Sequence, residues 1–402
     1  MREARLEKDR DMPPTDNTSI GIAFQGGSFL AGAIGTGVIR KLVGYQDGQV
    51  FRRVRAFSGT SAGALVAALC WREALNPTPR HQALVQGLEK FWLKFANGSI
   101  PHQEAGDFWK SFDQIARLNP AYDAMADSLR IPMIQGMFRE WISEGIRPAE
   151  VISQFCGGTA DSLPVRLAMG AAGMLHGDVV TFIDQDFIDA AADGVAGTGS
   201  NWSKREQVVP DLDLTGLREA LSQASSVSQA EKRAVRAGGD LMLSALMASG
   251  SLDEVNGKTR IDSGPYDDIY LDGAWGQNPP IDVMIDMGVK EIWIVRVFPK
   301  ACDREPATYH GRADRKEELW QNAMVEQQIR TIDKINSWIK KGYFTEDAKK
   351  RHIDIYAIDM DLDVTPGARV VNDKAYLKAM MKHGAVKMSA FLRTPERYKV
   401  TR

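Results

Sequence analysis

Short apolar runs alternate with longer segments of helical periodicity along this 402-residue chain. Ser19–Phe24 (SIGIAF), the run beginning at Val54, Leu163–Met169 (LPVRLAM), Val179–Ile183 (VVTFI), Asp268–Leu271, Glu291–Val297 (EIWIVRV) and Ile353–Ile358 predict strands. Helices are predicted over Phe29–Leu42, from Ala64 onward, through much of Pro77–Gly145, and over Leu214–Ala224, Ala234–Leu252, Gln321–Tyr343 and Asp373–Leu392. In Gln321–Tyr343 the buried face should be Met324, Ile329, Ile332, Ile335, Trp338 and Ile339. Strands separated by helices predict an α/β fold: a mostly parallel central sheet flanked by helices, with a helical cap or insertion. Residues 1–18 read as a flexible leader. Residues 184–235, rich in Ala, Asp, Ser and Gly, read as a lid or mobile insertion.

Two of the strand-to-helix junctions carry unusual turns. The first strand runs into Gln25-Gly26-Gly27-Ser28, and the second into Gly59-Thr60-Ser61-Ala62-Gly63. The second string places a serine on a sharp turn between strand and helix. Gly59 and Gly63 let the two elements approach closely, and the helix N-terminus beneath the serine favours negative charge developing there. That is the setting of a nucleophile elbow. A plain buried turn capped by a serine is the competing reading. In parallel α/β units both turns fall at the carboxyl edge of the sheet, where N–H groups around Gly27 and Ser28 would suit an oxyanion. Neither turn reads Gly-x-Gly-x-x-Gly, and no Gly-x-x-x-x-Gly-Lys-Ser/Thr string occurs, so a nucleotide cradle is the weaker reading. Later, Asp272 ends a predicted strand and is followed at once by Gly273-Ala274.

Composition narrows the classes. A formal net charge of −2, with 50 basic and 52 acidic residues, gives no global field for nucleic acid. Three widely spaced cysteines supply neither a disulfide framework nor zinc spacing, and suggest a reducing compartment. The N-terminal segment lacks the apolar core of a signal peptide, and no stretch approaches a transmembrane span. Cytoplasmic placement is therefore expected, peripheral on membranes or secreted by a signal-independent route being the variants. The aromatic and methionine set Phe91, Trp92, Phe95, Phe108, Trp109, Phe112, Met125, Met133, Met137, Phe138 and Trp141 reads first as core, and second as an acyl-chain channel.

Taken together, Gly26-Gly27-Ser28, Gly59-Thr60-Ser61-Ala62-Gly63 and Asp272-Gly273-Ala274 occur in an order that resembles the patatin-like phospholipase family. Asn278-Pro279-Pro280 is similar to the Asn-Asn-Pro that often follows the family aspartate, and ALMASGSLDEV to the serine- and alanine-rich segment before it. The resemblance covers roughly residues 19–300, which makes that stretch the catalytic domain, with residues 301–402 packing on it as a helical and strand segment. It departs in the first turn. The family's third glycine is Ser28 here, and no basic residue follows before Gly32. The resemblance implies a patatin-like fold, no cofactor or metal, and a Ser–Asp dyad. In that dyad Ser61 attacks an ester carbonyl, Asp272 on the Gly273-Ala274 turn takes its proton, and N–H groups of Gly26, Gly27 and Ser28 hold the oxyanion. Substrates would be phospholipids or lysophospholipids met at a transient membrane surface.

Two other functions fit parts of the pattern. A Ser-His-Asp hydrolase needs a histidine after the acid, and His310, His352 and His383 qualify by order. A catalytically silent binding protein on the same fold would be expected to lack the serine or the aspartate; both are present.

Overall fold

The computed structural model describes residues 18–401 except 76–80, 95, 97–119, 158–164, 197–212, 253–255, 263, 304, 345–351, 363, 365–368, 370 and 372, with backbone alone for 120–130, 133 and 310. The leader of residues 1–18 thus falls, but for Thr18, outside the described residues.

The strands are β1 (Ile20–Phe24), β2 (Val54–Thr60), β3 (Arg166–Gly173), β4 (Val179–Ile183), β5 (Thr259–Ile261), β6 (Asp268–Asp272), β7 (Glu291–Arg296) and β8 (Asp354–Asp359). They form one sheet in the order β5-β6-β3-β2-β1-β7-β8, with β4 on the other edge of β3. The run from β3 through β2, β1 and β7 to β8 is parallel. Strands β4 and β6 are antiparallel to β3, and β5 to β6. The helices are α1 (Ser28–Gly44), α2 (Ala62–Ala74), α3 (His81–Lys94), α4 (Pro120–Ile146), α5 (Pro148–Gly157), α6 (Asp184–Ala196), α7 (Thr215–Gln223), α8 (Val227–Ser249), α9 (Tyr309–Lys340) and α10 (Lys374–Arg393).

The central strands are buried on both faces, as parallel strands between helix layers must be. On one face Ile20, Ile22, Phe24, Phe57, Leu167, Met169, Trp293 and Val295 join the apolar sides of α1, α2, α8 and α10. On the other, Ala23, Ala56, Ala168, Ile292, Ile294 and Ile355 meet Val325, Ile329 and Ile332 of α9. Phe91, Trp92 and Trp141 are buried in the first layer, with Phe91 stacked on Trp141 at 4.1 Å between ring centroids. Those three are core. Phe95, Phe108, Trp109, Phe112 and the side chains of Met125 and Met133 lie outside the described residues.

Three expectations change. Residues 184–196 are a packed helix rather than the start of a mobile excursion. Asp184 is fully buried because Arg166 at the start of β3 grips it through two nitrogens, and Phe187, Ile188 and Ala191 pack in the core. A string opening Asp-Gln-Asp reads as a loop only while the partner of its carboxylate is unknown. The long helix α9 begins at Tyr309, a full three turns before Gln321. Its buried face is also half polar: Gln321, Asn322, Gln328 and Asn336 are buried with Val325, Ile329 and Ile332, whereas Trp338 is exposed. Strand β5 is too short to show a period in the sequence.

Helices α1 and α10 cross backbone to backbone. A Cβ at Gly37 would overlap the Met381 carbonyl, and one at Gly384 the Ile34 carbonyl. Gly37→Ala should therefore cost about 3 kcal/mol or more, because the obstacle is main chain that cannot rotate away. Gly44→Ala, where the added methyl meets nothing within 4 Å, should be near neutral. Urea midpoints of the two variants check this; equal midpoints would contradict the crossing.

Candidate active site

Strand β3 brings the site together. On one edge, β2 pairs with it from Ala56↔Arg166 to Thr60↔Gly170. The next position on β3 belongs to β6, which runs the opposite way: Ala171↔Asp272. Strand β4 occupies the opposite edge over both stretches, pairing Ala168 to Ala172, so β2 and β6 share one edge and meet end to end. Their last residues are Thr60 and Asp272. Ser61 and Asp272 are thus neighbours by register, although 211 positions separate them in the chain.

Ser61 stands between β2 and α2 with φ 55° and ψ −128°, a strained conformation for a residue with a Cβ. The surroundings force it. A Cβ at Gly59 would overlap the Gly63 carbonyl, and one at Gly63 the Phe24 carbonyl, so only glycines let strand and helix close on the turn. The Ser61 carbonyl accepts from Ala64 N–H (2.9 Å) and Leu65 N–H (3.3 Å), starting the helix. Its N–H donates to Ser249 Oγ (3.0 Å), at the C-terminus of α8.

Asp272 is 1% exposed. Ala274 N–H donates to its Oδ1 (2.8 Å), and Asp272 N–H donates to the Ser251 carbonyl (2.8 Å). Oδ2 is buried without a well-formed hydrogen bond. The Ser61 hydroxyl is nevertheless close enough to act on the carboxyl. Burial pushes that carboxyl from an ordinary 3.8 up to about 6, against the lowering pull of the Ala274 N–H and the Ser61 hydroxyl. Gly273 is crowded against the Gly170 backbone and the Thr60 methyl, which seats the turn on the β2–β3 junction.

The first turn lies against the second: a Cβ at Gly26 would come within 3.0 Å of Ser61 Cβ. Gly27 (φ 143°), which caps α1, and Ser28 (φ 56°), its first residue, both take positive φ. At Ser28 that is a conformation glycine adopts freely, which gives a physical reason for glycine in the family pattern. The turn is set by Gln25, whose Oε1 accepts from Val297 N–H (2.8 Å) and Phe298 N–H (3.0 Å). One expectation needs correction. Gly26 N–H is not free, because it donates to Asn278 Oδ1 at 2.5 Å. Gly27 and Ser28 remain as donors, at a helix end whose first N–H groups have no intrahelical partner.

Sequence reasoning missed the residues that hold this arrangement. Ser249 anchors the Ser61 backbone and Ser251 the Asp272 backbone, so one Ser-Gly-Ser at the end of α8 fixes both. Only Ser249 acts through its side chain; Ser251 holds Asp272 through its main-chain carbonyl while its hydroxyl donates to the Met247 carbonyl, so the one local signal was the serine that closes α8. The histidines described with side chains are engaged elsewhere. His352 Nε2 meets Asp354 Oδ1 (3.0 Å), His383 Nε2 the Met360 carbonyl (2.8 Å), His176 Nδ1 Asp268 Oδ2 (3.0 Å), and His81 packs on Phe51. His102 and the side chain of His310 lie outside the described residues. Among the described residues no cluster of His, Cys, Asp or Glu could hold a metal ion.

The family model "Patatin-like phospholipase" matches residues 22–285. None of the curated proteins searched matches. Among solved structures, the chain is similar to VipD from Legionella pneumophila (10% identity, TM-score 0.32, covering 96% of this chain and 68% of that one). It is also similar to the type III effector protein ExoU (13% identity, TM-score 0.28, covering 93% and 54%). This chain therefore spans only about half the length of the second. At these TM-scores the two likenesses add nothing to the family match.

The raised carboxyl predicts how stability depends on pH. A group titrating near 6 in the folded chain and near 3.8 unfolded favours folding fully below pH 3.8, and that contribution is lost as pH rises through 6. Asp272→Asn removes the penalty at high pH. Its stability relative to wild type should rise between pH 4 and pH 7.5 by an amount on the order of 3 kcal/mol. Denaturant titrations at the two pH values measure it, and a gap independent of pH would contradict the burial argument.

Proposed function

The chain belongs to the patatin-like phospholipase family, and from that premise we propose that it is a serine lipid acyl hydrolase working through a Ser61–Asp272 dyad. The observation that carries this reading is the end-to-end meeting of β2 and β6 on β3, which sets an elbow serine beside a buried carboxylate with one uncommitted oxygen. Asp272 takes the Ser61 proton as the hydroxyl oxygen attacks the ester carbonyl. The oxyanion is held by Gly27 and Ser28 N–H groups, assisted by the positive end of α1. The returning proton releases the alcohol, and water then cleaves the acyl-enzyme by the same route reversed. An aspartate of ordinary pKa is a poor base for a serine. One desolvated to about 6 is a better one, and is still ionised at neutral pH. No histidine is required.

We assign phospholipids or lysophospholipids as the substrate class, met at a membrane surface. No helix among the described residues is long and apolar enough to cross a membrane. The rim of the site is nonetheless apolar. Trp275, three residues past Asp272, is 66% exposed, and Met174, Leu175 and Val179 of the neighbouring β3–β4 hairpin are 47–59% exposed. A Cβ at Gly276 would lie 2.9 Å from a Val179 methyl, so turn and hairpin are contiguous. An exposed tryptophan beside a greasy hairpin tip suits the boundary between headgroups and acyl chains.

The dyad is tested by Ser61→Ala and Asp272→Asn. Each should lower turnover of a phospholipid, lysolipid and glyceride panel, read by mass spectrometry, at least about a hundredfold, while His310→Ala, His352→Ala and His383→Ala stay within about tenfold. In the wild type, kcat/KM should climb with pH through about 6, since the carboxylate is the active form. An essential histidine in a stable variant would turn the assignment toward a Ser-His-Asp enzyme.

For the membrane rim, a Met174→Asp/Leu175→Asp double variant should bind phosphatidylcholine vesicles at least about tenfold more weakly, since each charge opposes burial among acyl chains. Turnover of a soluble short-chain ester should stay near wild type. Unchanged vesicle binding in a flotation assay would remove the hairpin from the interface.

A further inference from the structure

The loop after Asp272 and the turn before α1 are joined by amides. Gly26 N–H donates to Asn278 Oδ1 (2.5 Å), and Asn278 Nδ2 donates to Gln321 Oε1 (2.8 Å). Gln321 Nε2 donates to the Ala274 carbonyl (3.3 Å), and Ala274 N–H donates to Asp272 Oδ1 (2.8 Å). The chain of bonds thus runs from the glycine turn, through one side chain of α9, to the carboxylate. Asn278 and Gln321 are 1% and 5% exposed, so water does not substitute for either.

The direction of every bond is forced. A backbone N–H at one end can only donate, and a backbone carbonyl at the other can only accept. Gly26 N–H therefore requires the oxygen of Asn278 to face it, which turns the Asn278 nitrogen toward Gln321. That fixes the oxygen of Gln321, and leaves its nitrogen for Ala274. Flipping either amide sets donor against donor at one joint. A buried chain with one allowed arrangement holds its two ends at a fixed separation, and these ends flank Ser61.

We propose that Gln321 is a positioning residue for the hydrolysis, holding the Gly26–Ser28 turn and the Asp272 turn in mutual register through Asn278 and Ala274. The proposal rests on the Ser61–Asp272 reading and deepens it. Gln321 belongs to α9, which begins at Tyr309, beyond residues 22–285 where the family model ends. The last quarter of the chain therefore reaches into the site. A neighbour on the same helix face provides the contrast. Gln328 Nε2 donates to the Pro279 carbonyl (3.0 Å) and its Oε1 accepts from Ile281 N–H (2.7 Å). Those bonds clamp the same loop further along, without reaching Ala274 or Gly26.

The test compares Gln321→Met with Gln328→Met in the full chain, both close to glutamine in volume and both lacking the amide. Gln321→Met should lower kcat about tenfold or more with KM within about threefold, because transition-state groups are misplaced while the substrate surface is untouched. Gln328→Met should lower the melting temperature at least as much, yet leave kcat within about threefold. A second readout separates positioning from loosening. Burial, the Ala274 N–H and the Ser61 hydroxyl set the Asp272 pKa, with no charged side chain acting on it. Weakening the hold on Ala274 removes a lowering influence, so the acid limb of kcat/KM should move to higher pH by about half a unit in Gln321→Met and stay put in Gln328→Met. If Gln321→Met does not fold, Gln321→Leu removes both amide bonds without adding a charge near Asp272, and the same kcat loss and limb shift are expected. Wild-type kcat and an unmoved limb in a folded Gln321 variant overturn the proposal, as does an equal kcat loss in Gln328→Met. Ser61→Ala and Asp272→Asn run alongside. If they stay active the dyad itself is wrong; if they are dead while Gln321→Met behaves as wild type, only the positioning role falls.

Discussion

Strand β3 is paired along one edge by two strands in succession, β2 up to Gly170 and β6 from Ala171. A parallel strand and an antiparallel one can share an edge in this way only by meeting carboxyl end to carboxyl end. Whatever follows β2 then stands beside whatever closes β6. The elbow serine and the strand-end aspartate occupy those two places. A slip of one residue in either pairing would turn the side chains of that strand to the opposite face of the sheet. On the opposite edge β4 pairs with β3 across Ala168–Ala172, spanning the junction without a break.

The same packing sets the chemistry. Glycines at 59 and 63 draw the elbow down onto the backbone of Phe24, and Gly273 seats the aspartate turn on Gly170 and Thr60. Closing the site this tightly removes water from Asp272. The carboxyl rises to about 6, and the cost of burying it is only partly offset by one backbone N–H and the Ser61 hydroxyl. A fully satisfied carboxylate would be more stable and a weaker base. In the proposed dyad the unsatisfied Oδ2 is the atom that would receive the serine proton.

Much of this was legible in the chain. The elbow string, the strand-end aspartate and most strands follow from local patterns, since glycine spacing and apolar runs are imposed by short-range sterics and burial. What escaped depends on partners far away in sequence. Asp184 looked like a loop residue because Arg166, its ion-pair partner, is on another strand. Ser249 and Ser251 look like ordinary helix-end polar residues until the strands they serve are known. The N–H of Gly26 looked available because nothing local announces that Asn278 takes it.

Helix α9 shows most clearly why periodicity failed there. An apolar stripe reports burial against an apolar sheet; that criterion finds Ile329 and Ile332 and passes over Gln321, Asn322 and Gln328, which are buried as well. Those amides are buried because the surface they cover is a set of loops with main-chain groups unspent by the sheet: the Ala274, Pro279, Phe298 and Pro299 carbonyls and the Ile281 N–H. An apolar helix laid over such loops would strand each group without a partner, at about 1–3 kcal/mol apiece. Glutamine and asparagine can donate and accept in one side chain, so they satisfy a loop from one face of a helix where leucine cannot. A polar residue at helical spacing, on a helix otherwise amphipathic, is then a sign that the helix covers loops rather than strands. In this α/β chain the loops so covered are those that follow the carboxyl ends of β6 and β7, where the candidate site lies.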